Sequence, residues 1–137
     1  MFKFRNSKIE FSGSSLPMAI VNASDRYNER NDCVIKAIAI ATNISYGKVH
    51  KTCKKNGREN RKGTSGKTLK KTVSDLGFKL VPVKGTGKTF KTYQPPTNES
   101  YLVFSKSHCV AAVDGLIRDW SSDTNRRVIA QFRIERV

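Results

Sequence analysis

Apolar and polar positions change their period once along this chain, and the change divides it in two. Phe2, Phe4, Ile9 and Phe11 alternate with polar residues near the start, a pattern that suits an edge strand or an extended arm, and Ser12 to Ser15 reads as a turn. After the polar stretch DRYNERND comes CVIKAIAIAT, apolar on nearly every face except Lys36, which predicts a buried helix. Asn43 and Ser45 break it and cap a second helix, SYGKVHKTCKKNG, with Tyr46, Val49 and Cys53 on one face and Gly57 as its stop. A third helix, KTLKKTVSDLG, carries Leu69, Val73 and Leu76 at helical spacing and ends at Gly77.

From Phe78 onward the period is two. The segments FKLVPV, YLVF, HCVAAV, LIRDW and RRVIAQFRIERV read as strands, and KGTGKTFKTYQPPTN between the first two reads as a long mobile loop. Helices followed by strands predict an α+β fold, with N-terminal helices, one of them buried and central, packed on a C-terminal antiparallel sheet. A length of 137 residues fits one domain, divided into an N-terminal arm or strand (1–27), a helical part (28–77) and an antiparallel sheet (78–137).

Charge alters the picture of partners rather than of fold. There are 26 Lys and Arg against 11 Asp and Glu, a formal net charge of +15. Such a field favours nucleic acid, an anionic surface or an acidic protein. Ten cations fall between Lys48 and Lys71, with Glu59 the sole acid: Lys48, Lys51, Lys54, Lys55, Arg58, Arg61, Lys62, Lys67, Lys70 and Lys71. Phosphate contacts of this kind give affinity without sequence discrimination, and the block lacks the interleaved aromatics of a base-stacking surface.

No apolar run approaches the roughly 18 residues of a membrane span, and the start lacks the apolar core of a signal peptide. Three cysteines without an export signal predict free thiols in the cytoplasm, or in a host cytoplasm, since small size and high lysine content suit a virus-encoded protein. The Gly-Lys-Thr stretches TSGKT and GTGKTF fail the phosphate-loop pattern because Arg61 and Pro82 stand where it needs glycine. His50, Cys53, His108 and Cys109 have suitable types for zinc, but no CxxC is present and neighbours on a strand point to opposite faces. No metal or other cofactor is expected.

Candidate chemistry centres on Cys33. It would occupy the first turn of the buried helix, where unpaired backbone N–H groups and the positive end of the dipole favour thiolate. Cys53 lies mid-helix and Cys109 within a strand, without that activation. Asp114-Gly115 is a dipeptide favoured in two-residue hairpin turns. Such a turn sets Val113 opposite Leu116, Val110 opposite Asp119 and His108 opposite Ser121. His108 and Asp119 then share a face as diagonal neighbours, and a carboxylate there can fix the imidazole tautomer.

Through NDCVIKAIAIAT and SHCVAAVDGLIRDW, roughly Asn28 to Trp120, the chain resembles the papain-like cysteine peptidases. Among them it is most similar to the double-glycine leader peptidases and to small related proteins often encoded by phages. The resemblance implies a thiol hydrolase, a cysteine peptidase or isopeptidase, with Cys33 as nucleophile, His108 as proton shuttle and Asp119 as the orienting acid. It also implies a Gln or similar donor before the nucleophile to hold the oxyanion. No Gln stands there, and Asn28 and Asn31 are the candidates for that place. Two expectations follow: a hydrolase steered by its basic surface to an acidic protein or peptide, or a catalytically silent scaffold of the same fold that binds nucleic acid or a nucleic-acid-associated protein.

Overall fold

The computed structural model describes residues 9–10, 15–84, 88–90, 93, 95, 99–118 and 126–137. In order they form β1 (Ile9–Glu10), α1 (Ser15–Arg26), α2 (Cys33–Thr42), α3 (Tyr46–Lys55), α4 (Gly66–Asp75), β2 (Phe78–Val83), β3 (Ser100–Ser105), β4 (His108–Val113), β5 (Leu116–Arg118) and β6 (Ala130–Arg136). The fold is α+β, with helices packed on one sheet of order β1-β5-β4-β3-β6-β2. All pairings are antiparallel except that of β1 with β5.

The apolar run of α2 explains its place. Ile35 and Ile38 are fully buried, and each such side chain contributes about 1.5–3 kcal/mol on burial. Ala37 and Ala39 of α2 share one core cluster with Cys109 and Ala111 of β4, so small side chains on both partners let helix and strand approach closely. The helix stops at Asn43, which takes the left-handed conformation (φ 59°). Ser45 then caps α3, its hydroxyl accepting from the Lys48 N–H, and Ser65 caps α4 by accepting from Thr68.

Strand β4 is covered on both faces. Cys109 and Ala111 meet the helices, while Val110 and Ala112 join a second cluster with Tyr101, Val103, Ile117, Phe90, Tyr93 and Val128. The β4–β5 hairpin has the register that Asp114-Gly115 predicts, Val113 opposite Leu116, with positive φ at both turn residues. β2 lies at a sheet edge, where Pro82 costs no interior ladder bond.

Two expectations are corrected. Residues 15–26 are a helix rather than part of an extended arm, so four helices lie between β1 and β2. Ile20, Ala23 and Ser24 of α1 are buried. The segment after β2 is anchored rather than a free loop at its described positions: Phe90, Tyr93 and Pro95 are buried. The Phe90 N–H donates to the Arg126 carbonyl, and the Tyr93 hydroxyl to Gln131.

Candidate functional site

Cys33 is the first residue of α2 and is half-buried, its sulfur side packed against the helix-side core. His108 is the first residue of β4, reached from β3 by the tight turn at Lys106 and Ser107 that pairs Ser105 with His108. The two residues line one open cavity of about 410 Å³, together with Asn31, Gly63, Thr64 and Phe104. His108 shares its sheet face with Val110 and Ala112, away from α2, and its ring lies 6.4 Å from that of Phe90. The cavity lies where β4 begins, beside the start of α2, and residues of both elements line it.

Asp119 lies outside the described residues. The described pairing ends at Ala111 and Arg118, one pair short of it. Of the two amides considered for the oxyanion, Asn31 lines the cavity, and its Nδ2 donates to the Arg61 carbonyl at 3.1 Å. Asn28 does not line it. Asn28 is exposed, and its backbone carbonyl accepts from Arg61 Nη1 at 3.4 Å.

Asp32 occupies the N-cap of α2 without capping it, for its side chain makes no hydrogen bond to the first turn. The carboxylate turns inward instead, accepting from the Ser24 hydroxyl at 2.7 Å and the Tyr46 hydroxyl at 2.6 Å, with Lys36 Nζ at 3.3 Å. Burial alone would push this carboxyl up, but those donors outweigh it and hold it below the usual carboxylate range. Tyr46 is driven upward, first by burial and then by the same carboxylate. The helix thus keeps its first-turn N–H groups from its own cap residue, on the residue next to the thiol.

A second buried acid escaped the sequence reading. Glu29 accepts from Arg58 Nη1 and Nη2 at 3.0 and 2.9 Å and from the Arg61 backbone N–H at 2.8 Å, and lies 2.7 Å from His50 Nε2. Burial opposes its ionisation, yet the Arg58 and His50 contacts hold it at about 2. Arg58 is therefore removed from the basic surface: it is buried, neutralised by Glu29, and binds the Lys62 carbonyl through Nε. A signal was present in the sequence. In a chain with only 11 acids, Glu29 and Asp32 stand within four residues of the nucleophile candidate, and His50 sits on the inward face of α3 with Tyr46 and Cys53.

Lys48, Lys51, Lys54, Lys55, Arg61, Lys62, Lys67, Lys70 and Lys71 are exposed. Lys48, Lys51 and Lys55 line one groove on α3, whereas Lys70 faces a different hollow beside β2, so the block is not a single patch. Among the described residues no three His, Cys, Asp or Glu side chains gather as metal ligands, and no helix is long and apolar enough to cross a membrane. No protein-family model, curated protein or solved structure matches the chain.

Proposed function

We propose that the protein is a papain-like thiol hydrolase acting on an amide bond of a peptide or protein. The observation that carries this reading is that Cys33 and His108, from different elements far apart in sequence, both line one open cavity. In the reaction, the Cys33 sulfur attacks the substrate carbonyl carbon as His108 takes the thiol proton. His108 returns that proton to the leaving amine as the C–N bond breaks, and water, deprotonated by His108, then cleaves the thioester. The α2 first turn, left uncapped by Asp32, supplies backbone N–H groups suited to the developing oxyanion. Asp119 is the orienting acid of this reading. Incubation with fluorescein-labelled casein, an acidic and unstructured protein, should release soluble fluorescence, and Cys33→Ser should abolish it. Equal release by Cys33→Ser would overturn the assignment.

One observation favours a second reading, a binding scaffold for nucleic acid. Lys48, Lys51 and Lys55 recur at three and four residues along α3 and line a groove of about 680 Å³. A stripe of this kind suits a phosphate backbone, and affinity for duplex DNA should then fall steeply with added salt. Salt-independent affinity, or none, would remove it.

A further inference from the structure

The aromatic residue that the basic block lacks in sequence comes from outside it. Lys48, Lys51 and Lys55 line the α3 groove with Gly47 and Thr52, and among the described residues no carboxylate lines it. No described carboxylate pairs with the three ammonium groups either. The groove shares no residue with the cavity of Cys33 and His108. Tyr27, which follows α1 and is 45% exposed, stands at its end. The Tyr27 ring leans on two buried ones, 4.7 Å from His50 and 5.3 Å from Tyr46 between centroids. Gly47 makes room for it, since a Cβ there would stand 2.5 Å from the Tyr27 hydroxyl oxygen.

We propose that Tyr27 and the lysine groove form one site for single-stranded nucleic acid, with an unpaired base stacked on Tyr27 and the adjoining phosphates on Lys48, Lys51 and Lys55. The proposal rests on the binding reading and narrows its ligand. Lysines alone take any phosphate backbone, duplex or single. A half-exposed aromatic ring beside them takes a base only when that base is unpaired, because a duplex keeps its bases stacked on each other. The three lysines span about 10 Å of helix axis, and their ammonium groups, on flexible stems, can follow a strand without fixed helical form. Tyr27 is already packed on His50 and Tyr46, so little side-chain freedom is lost when a base stacks on it.

Fluorescence anisotropy with fluorescein-labelled oligothymidylate and with an abasic oligomer of equal length tests it, because the two carry the same phosphates and differ only in the bases. At low salt the whole chain should bind the first at least about fivefold more tightly. Tyr27→Leu, which keeps apolar packing on His50 and Tyr46 without a ring face, should remove that preference and leave the abasic affinity within about twofold. Tyr27→Phe, which returns the ring, should recover it. Lys48→Gln with Lys51→Gln should weaken both oligomers alike and lower the salt slope by about 0.7 for each lysine. Oligouridylate run beside oligothymidylate tells whether RNA or DNA is preferred. Equal affinity of the unsubstituted chain for the two oligomers, or a preference untouched by Tyr27→Leu, would overturn the stacking site while the binding reading stands. Absence of affinity for either oligomer would remove the binding reading itself.

Discussion

On either side of the Asp32–Cys33 peptide the chain uses polar groups in opposite ways. Glu29 and Asp32 face inward, and each is met by several donors: Arg58, His50 and the Arg61 N–H for one, Ser24, Tyr46 and Lys36 for the other. Cys33 and His108 instead line an open cavity. A buried charge without partners would cost several kcal/mol, so the closed cluster must be complete to exist at all. Cys33 and His108 are each only partly buried, where a ligand can reach them. The contrast teaches that burial, not the number of ionisable residues, separates a structural cluster from one a ligand can reach.

The closed cluster should yield the largest effects on stability. Arg58→Ala strands the Glu29 carboxylate and should cost about 3–5 kcal/mol in urea denaturation, and Glu29→Gln in the same chain should recover part of the loss. Acid should act on the same group. Glu29 ionises at about 2 in the fold against an ordinary 4.5, so the folded chain binds fewer protons. Its stabilisation is complete above about pH 4.5 and lost as pH falls towards 2, on the order of 3 kcal/mol. Glu29→Gln should flatten the stability profile in that window. Tyr46→Phe removes a single donor to Asp32 and should cost about 1–2 kcal/mol. The open pair should respond least: His108→Ala should shift stability by no more than about 1 kcal/mol. A larger loss would place His108 in the scaffold.

Much of the architecture was legible because its signals are local. The run CVIKAIAIAT has no polar face to expose, Ser45 and Ser65 stand where caps must, and Asp114-Gly115 fixes the hairpin register through two positive φ angles. The same register brought His108 to the start of β4, and helix chemistry brought Cys33 to the start of α2. What stayed hidden depends on tertiary partners. α1 buries the polar Ser24 beside Ile20 and Ala23, and only its hydrogen bond to Asp32 gives that serine a place inside. Phe90 and Tyr93 are scattered among Lys, Thr, Gly and Pro, and only the second sheet face gives them a place. Arg58 stands among surface lysines in sequence, and nothing in that block indicates that one cation turns inward to meet an acid 29 residues earlier. Asp32 has the residue type of a cap but finds stronger donors in Ser24 and Tyr46.

The most direct test is the alkylation rate of Cys33 by iodoacetamide near pH 6, where an ordinary thiol is almost wholly protonated, followed by intact mass and peptide mapping. Cys33 should react far faster than Cys53, and His108→Ala should slow it at least about tenfold. Equal rates at Cys33 with and without His108 would contradict a working thiol–imidazole pair, and with it the hydrolase.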